Sequence, residues 1–328
     1  MRTRLCTRLP VLGTRLSVLT VAALLVVTGC GRDRITATPV GAWSAAPAPS
    51  DAPPADGPPT ATGPASPSAS ASTGCAAGWD CALRGRFDAT AAYVAGRPGH
   101  MGMVLRDRTT GAAWRTGATT EPMWTGSTIK VAIAANLLER NRAGRIRLTD
   151  ADRKAMADML RLSSNEATDS LWNRYDGPQM LDRFRAGYGM ASLSVVAGRE
   201  TYWRNLRCTA DDLDHVMTYV LGGNLHPDDR AYLVNALRGV ADNQRWGVWA
   251  AGSQLRPGNK DGWAVKPDPG GEHWVTHTAG FAGPDERYVV VVMYSLPPGR
   301  SVGDGVHAVS DAVATLFGAP TPAKVSLP

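Results

Sequence analysis

Ser127 and Lys130 are three positions apart and could form a nucleophile with its base. They open the apolar stretch Ser127–Asn141, whose spacing predicts a helix with both side chains on one face. A serine hydroxyl needs a base to attack, and a lysine amine in a dry pocket can lose its proton and serve as one. The alternative is a serine at a helix start beside a solvated lysine, because this pair of residues also arises by chance.

Two polar segments downstream could complete such a site. Ser163 and Asn165 stand in a turn predicted between two helices, where a hydroxyl and an amide can point into a cleft. Thr276–Gly280 lies on a predicted strand, just before the apolar, β-branched run Tyr288–Tyr294. These segments could add a proton relay and a substrate-binding strand to the nucleophile.

The three segments together resemble the motifs of the penicillin-recognising serine hydrolases, and most closely those of class A β-lactamases. The segments Trp246-Gly247-Val248 and Lys260-Asp261-Gly262-Trp263 also resemble stretches shared by actinobacterial lipoprotein serine hydrolases. The resemblance covers most of residues 82–318. It implies an α+β fold of the β-lactamase/transpeptidase-like type, in which helices flank an antiparallel sheet and form a helical subdomain.

The resemblance also implies roles for the matching residues. Ser127 would be acylated and Lys130 would take its proton. Ser163 would relay a proton toward the leaving nitrogen, and Asn165 would hold Lys130 and the substrate amide. The substrate would be a β-lactam or a peptidoglycan-type amide, and no cofactor or metal is expected.

The third motif is assigned to Thr276–Gly280, with differences from the family pattern. Thr278 would bind the substrate carboxylate, and the backbone N–H groups of Ser127 and Gly280 would form the oxyanion hole. His277 replaces the usual lysine and carries a charge only when protonated, while Ala279 replaces the usual glycine. In the second motif, Ser164 replaces the usual aspartate. The cations that could take the place of the missing lysine are Lys260, Lys266 and Arg245.

Glu200 is the candidate base for hydrolysis of the acyl-enzyme. It precedes Asn205 and Leu206 at about the place where class A enzymes carry a deacylating glutamate, although the spacing and the order of these residues differ. The alternative for Glu200 is a surface carboxylate on a loop. Glu166 directly follows the polar turn and is interpreted as a solvated helix residue.

The first 74 residues predict export and tethering. Residues 1–29 have a basic start and a short apolar run, as in a secretory signal, and Cys30 follows Val27-Thr28-Gly29 as in a bacterial lipobox. Residues 30–74 are predicted to be a disordered tether, since Ser44–Thr73 contains 9 Ala, 8 Pro, 6 Ser and no large apolar side chain. The expected location is the extracytoplasmic face of the cell membrane, with lipid on Cys30.

Composition limits the remaining classes of function. The chain has 328 residues and a net charge of +6, of which four arginines in residues 1–29 contribute four. The remainder is close to neutral and has no basic block, so a nucleic-acid binder is disfavoured. A catalytically degenerate ligand-binding lipoprotein of the same fold and a D,D-peptidase without lactamase activity stay open as alternatives. A monomer is expected.

The folded domain is predicted over residues 75–320, with a tail at 321–328. Cys75, Cys81 and Cys208 allow one disulfide and one leftover thiol, and the sequence does not fix the pairing. The predicted helices are Phe87–Ala95, Ser127–Asn141, a block from Thr149 to Ala186 broken near Leu162–Asn165 and at Gly177-Pro178, then Thr209–Leu221, Pro227–Val240 and Ser301–Phe317. The predicted strands are Met101–Arg106 and Ala112–Thr116, followed by strand-rich segments at Gly247–Val265 and Trp274–Leu296.

Overall fold

The computed structural model describes residues 78–327. The predicted signal, Cys30 and the predicted tether lie outside the described residues, as does the partner of Cys81, which is disulfide-bonded. Cys208 is a free, buried thiol, so it is not the cysteine that pairs with Cys81. Among residues 78–327, no helix has the length and apolar character needed to cross a bilayer.

The described part of the chain contains helices and strands in the order expected of an α+β domain. The helices are α1 Cys81–Arg84, α2 Phe87–Ala95, α3 Lys130–Arg142, α4 Asp150–Arg161, α5 Asn165–Arg174, α6 Gly177–Gly187, α7 Ala210–Leu221, α8 Pro227–Arg238 and α9 Val302–Phe317. The strands are β1 His100–Asp107, β2 Ala113–Gly117, β3 Met123–Trp124, β4 Ser194–Val195, β5 Leu206–Cys208, β6 Gly258–Asp268, β7 Gly271–Ala282 and β8 Tyr288–Ser295. The predicted helices and hairpin are therefore confirmed within a few residues.

Three helices begin at a capping box, a pattern of side chains that fixes the residue at which each helix starts. At α4 the Thr149 side chain accepts from the backbone N–H of Asp152, and the Asp152 carboxylate accepts from the backbone N–H of Thr149. The same reciprocal arrangement starts α7 at Thr209 and α9 at Ser301. Each box satisfies backbone donors that a helix start leaves without partners.

A five-stranded antiparallel sheet, in the order β2-β1-β8-β7-β6, separates two apolar clusters. Strand β8 lies at the centre, and its side chains alternate between the two faces. Val289, Val291 and Met293 pack with α3 and the helical block. Val290, Val292 and Tyr294 pack with α2 and α9. The sheet is therefore covered on both sides, and β6 forms one of its edges.

One predicted strand-rich segment, Gly247–Val265, is confirmed only in its second half. Strand β6 begins at Gly258, whereas Gly247–Ala251 and Ser253–Leu255 form short 3₁₀ turns. Two glycines account for the difference, since Gly247 has φ +58° and Gly252 has φ +102°. Such positive φ values interrupt an extended chain. The turns lie behind the sheet edge and leave β6 free to run past the Ser127 turn.

Candidate active site

Ser127 lies in a 3₁₀ turn, Gly126–Ile129, that leads directly into α3. The turn forms where Gly126 adopts φ +54°, and it leaves Ser127 9% exposed. Lys130 is the first residue of α3 and is fully buried. The rest of α3 is buried through Leu138, so the core fixes the helix on which the serine and lysine stand.

The edge strand β6 passes directly over this turn. A Cβ atom added to Gly262 would lie 2.7 Å from the backbone nitrogen of Ser127 and 3.2 Å from that of Thr128. Both distances involve backbone atoms, which cannot move aside as a flexible side chain would. The residue opposite Ser127 on β6 therefore has to be glycine, and the strand backbone forms one wall of the site.

The Ser163 turn meets Lys130 from the other side. Ser163 joins α4 to α5 with φ +57°, a left-handed conformation that non-glycine residues rarely adopt. Lys130 Nζ donates to Ser163 O at 2.7 Å and to Asn165 Oδ1 at 3.0 Å. Ser164 instead caps α5, accepting from Ala167 N at 3.1 Å. The turn thus holds Lys130 while directing the Ser163 hydroxyl inward.

A second buried lysine completes the cluster. Lys260 on β6 is fully buried, and its Nζ donates to Ser163 Oγ at 2.9 Å and to Asp261 O at 2.9 Å. Lys130 Nζ lies 3.4 Å from the same Ser163 Oγ. The Ser163 hydroxyl therefore lies between the amines of two lysines that come from different elements.

The two amines differ in proton affinity. Burial, together with the charges of Lys260 and Arg204, lowers the pKa of Lys130 to about 6. Burial also lowers the pKa of Lys260, but the Asp261 carboxyl opposes this effect and the pKa stays at about 8. The pKa of Lys130 is thus lowered further than that of Lys260, which makes Lys130 the better candidate for the free amine. Neighbouring groups with separated pKa values can divide the base and acid roles between them.

The prediction that Thr276–Gly280 forms the third motif is wrong, because β6, and not β7, is the strand next to Ser127. Thr276–Gly280 lies on β7, one strand further into the sheet, and its residues are buried rather than exposed to the cleft. Lys260-Asp261-Gly262 on β6 supplies both the lysine next to Ser163 and the glycine next to Ser127. The sequence signal for this placement is the spacing Lys-x-Gly at Lys260 and Gly262.

The four residues predicted to bind substrate have structural partners instead. His277 Nε2 donates to Trp124 O at 2.8 Å, and Nδ1 accepts from Tyr294 N at 3.0 Å. Burial lowers the pKa of His277 to about 4, so it does not supply a positive charge at neutral pH. Thr278 Oγ1 accepts from Val248 N at 3.2 Å. Ala279 and Gly280 pair with Lys260 and Asn259 across the sheet.

Asp261 occupies the middle of the relocated motif, where the family pattern has threonine. Its carboxyl is fully buried, accepts from Asn259 Nδ2 at 2.5 Å and contacts the Thr278 hydroxyl. Burial raises its pKa well above the usual range despite these hydrogen bonds. Asp261 therefore belongs to the framework behind β6 and offers no hydroxyl to a substrate.

Glu200 is placed away from this cluster. It is exposed, its backbone oxygen accepts from Asn205 Nδ2 at 3.1 Å, and it is absent from the residues that line the cleft. Trp203 of the same loop is buried instead, with its ring centroid 4.8 Å from Lys130 Nζ. Asp169 fixes that indole by accepting from Trp203 Nε1 at 2.7 Å. The structure therefore brings an aromatic ring, and not the predicted glutamate, to Lys130.

These elements enclose a cleft of about 300 Å³. It is lined by Gly126, Ser127, Ser163, Asn165, Trp203, Arg204, Trp263, Ala264, Val265 and Lys266. None of these lining residues is acidic. Within residues 78–327 the Ser127 hydroxyl makes no hydrogen bond, and no cluster of His, Cys, Asp and Glu could hold a metal ion. The cleft thus offers the free hydroxyl of Ser127, the hydroxyl of Ser163 that contacts the two buried lysines, and the amide of Asn165.

Comparison with known proteins places this site in a known fold. Residues 86–151 match a model of the β-lactamase enzyme family. A Mycobacterium tuberculosis H37Rv protein named "Putative lipoprotein LppW" is 28% identical over 227 residues, which cover 66% of this chain and 69% of that protein.

Solved structures give the same result at lower sequence identity. An ancestral class A β-lactamase has a TM-score of 0.58 and 21% identity, covering 71% of this chain and 98% of that one. A class A β-lactamase from Mycobacterium abscessus has a TM-score of 0.57 and 18% identity, covering 71% and 100%. A β-lactamase from Chitinophaga pinensis has a TM-score of 0.60 and 15% identity, covering 72% and 98%. The predicted fold and resemblance are confirmed.

Proposed function

We propose that this chain, which has the fold of class A β-lactamases, is a serine hydrolase that acts through an acyl-enzyme on Ser127. One observation carries the proposal: Ser163 Oγ lies between the amines of Lys130 and Lys260 in the cleft that contains Ser127. Acyl transfer to a serine needs a base for the serine proton and a route for that proton to the leaving group, and a hydroxyl between two amines supports both.

Acylation follows from these positions. The free amine of Lys130 takes the proton of the Ser127 hydroxyl as Oγ attacks the substrate carbonyl. The backbone N–H of Ser127 and the N–H groups of the adjacent edge strand stabilise the oxyanion. The proton then passes from Lys130 through Ser163 Oγ to the leaving nitrogen, and the carbon–nitrogen bond breaks. The products are a Ser127 ester and a free amine, so atoms and charge balance.

Slow hydrolysis of the ester distinguishes this site from an efficient lactamase. No carboxylate lines the cleft, and Trp203 occupies the position beside Lys130. Water at the ester therefore lacks the assisting base that Glu200 was expected to be. These features favour a penicillin-binding enzyme of the D,D-peptidase type, acting on a peptidoglycan-type amide, over rapid β-lactam turnover.

The proposed setting is the cell envelope. The signal-like residues 1–29 and the lipobox-like Cys30 support lipid anchoring, and the mycobacterial relative bears a lipoprotein name. Radiolabelled palmitate incorporated by the full chain in cells, and lost in Cys30→Ala, tests this part.

Intact mass of the detergent-solubilised chain tests the acyl-enzyme. The chain is incubated with benzylpenicillin or with an uncharged fluorophosphonate, alongside Ser127→Ala and, as a matched control, Ser170→Ala on the exposed side of α5. We expect a lasting penicillin adduct that Ser127→Ala loses and Ser170→Ala keeps. Rapid drug turnover without an adduct would contradict slow deacylation.

A degenerate binding lipoprotein is the second candidate. The observation that favours it is the Ser127 hydroxyl, which makes no hydrogen bond among the described residues. Failure of both reagents to modify Ser127 in the folded chain would support this candidate and overturn the proposed function.

A further inference from the structure

The mouth of the cleft carries positive charge that acylation itself does not use. Arg204 and Lys266 both line the cleft, and no lining residue is acidic. Lys266 Nζ donates to Arg204 O at 3.0 Å and makes no ion pair within residues 78–327. An uncompensated cation at the edge of a cleft attracts an anionic ligand.

Both cations are held by aromatic and polar contacts, although the Arg204 side chain is 41% exposed. The Arg204 guanidinium lies over the Trp203 ring at 4.8 Å, and its Nη2 donates to Asp169 Oδ2 at 2.9 Å. Lys266 Nζ lies 4.4 Å from the centroid of Trp124. Arg204 keeps further N–H donors beyond its bond to Asp169, because a guanidinium carries five. The two side chains are therefore pre-positioned, which lowers the entropic cost of binding an anion.

The carboxylates nearest this pair already have partners, since Asp169 pairs with Arg204 and Asp268 pairs with Arg207. Arg199 lies over the same Trp124 ring, at 5.6 Å from its centroid. Burial and the charges of Arg199 and Arg204 lower the pKa of Lys266. Part of this lowering comes from the two neighbouring positive charges, and a bound anion would offset their repulsion.

The position of Lys266 on β6 sets the distance to the reacting carbonyl. Gly262 faces Ser127, and Lys266 lies four residues further along the strand on the same face, as the continuous pairing with β7 shows. Four residues of strand span about 13 Å. At the other end of the motif, buried Asp261 provides no hydroxyl for a substrate carboxylate. The anion would therefore bind at the Lys266 end of the cleft.

We propose that Arg204 and Lys266 form an anion subsite that selects substrates with a negatively charged acyl group, at the end of the cleft about 13 Å along β6 from Gly262. This inference rests on the proposed function for its kinetic consequence, but the binding itself does not require acylation. Arg204 and Lys266 are specificity residues here, since neither contacts the reacting atoms.

Two matched esters test the subsite. N-Glutarylglycine p-nitrophenyl ester ends in a carboxylate, and N-pentanoylglycine p-nitrophenyl ester ends in a methyl group at the same length. We expect wild type to prefer the glutaryl ester, and Lys266→Gln to lower its kcat/KM about tenfold, the loss of one charged contact. The pentanoyl ester should be unaffected. Lys266→Glu should reverse the preference, and Lys154→Gln on exposed α4 is the matched control.

An equal loss of kcat/KM for both esters in Lys266→Gln would show a structural role of Lys266 and overturn the proposed subsite. Equal rates for both esters with wild type would overturn it as well. The proposed function is judged separately, by fluorophosphonate labelling of Ser127. If labelling fails, calorimetric binding of the two corresponding glycinamides to Ser127→Ala still decides the subsite: a Lys266-dependent preference for N-glutarylglycinamide supports it, and equal binding refutes it.

Discussion

Lys260 Nζ donates to Ser163 Oγ at 2.9 Å, although 97 positions separate the two residues in the chain. This hydrogen bond joins the edge of the sheet to the turn between α4 and α5. It places the Lys260 amine beside the hydroxyl that also approaches Lys130. The roles proposed for the two lysines rest on this contact and give the first prediction.

The rate of acylation should depend on pH with two inflections. Lys130 must be unprotonated to act as the base, so the rate should rise as pH increases through about 6. Lys260 must be protonated, so the rate should fall as pH increases through about 8. The rate of adduct formation on Ser127, measured in reactions quenched at set times between pH 5 and 9, checks this bell-shaped profile. A profile that rises without a maximum would show that the charge of Lys260 is not needed.

Removing the Lys130 amine should slow acylation about 10²–10⁴-fold, the usual contribution of a general base. Lys130→Met keeps the length and apolar character of the buried stem, so the fold should persist. Mass spectrometry of adduct formation measures the rate, and circular dichroism verifies folding. A folded Lys130→Met chain acylated as fast as wild type would exclude Lys130 as the base.

Gly262→Ala should lower the acylation rate about 100-fold, because the added Cβ would press on the backbone of the Ser127 turn. Gly270→Ala is the matched control, since a Cβ there meets nothing within 4 Å. The two variants are compared by adduct formation and by thermal unfolding. Equal rates in Gly262→Ala and Gly270→Ala would mean that β6 does not shape the site.

Glu200→Gln should leave the lifetime of the Ser127 adduct unchanged, because Glu200 is exposed and does not line the cleft. Glu166→Gln, another exposed acid that follows the Ser163 turn, serves for comparison. The lifetime is read from the decay of the penicillin adduct by intact mass. A longer lifetime only in Glu200→Gln would restore Glu200 as the deacylating base.

His277 should make the fold sensitive to acid. Its pKa of about 4 lies below the ordinary value of 6.5, so the unfolded chain binds the proton more tightly. Its contribution is present above pH 6.5 and is lost as pH falls toward 4. Between pH 7 and pH 5 the free energy of unfolding should drop by about 2 kcal/mol from this group. Urea unfolding of wild type and His277→Gln at both pH values isolates the contribution of His277. An identical pH dependence of the free energy of unfolding in the two chains would refute the lowered pKa of His277.

Local patterns in the sequence were sufficient to predict most of the elements and half of the site. The apolar spacing after Ser127 predicted α3, and Thr149 marked the start of the helical block that begins with α4. The pairing of Ser163 and Asn165 with Lys130 was expected from the resemblance and is present in the structure. These features are local, because capping and periodicity act over one or two helical turns.

The tertiary structure alone decided which strand faces Ser127 and which groups complete the cleft. Strands β6 and β7 are both largely buried and follow each other directly, so periodicity does not reveal which one forms the edge of the sheet. Because β6 forms the edge, Lys260 lies where His277 was predicted to lie, and Gly262 lies where Gly280 was predicted to lie. The loop after β4 likewise turned Trp203 inward and Glu200 outward, because Asp169 of α5 hydrogen-bonds the indole. Sequence identified Ser127 and Lys130 as the proposed nucleophile and base, whereas long-range packing determined where Lys260, Gly262 and the Arg204–Lys266 pair lie relative to them.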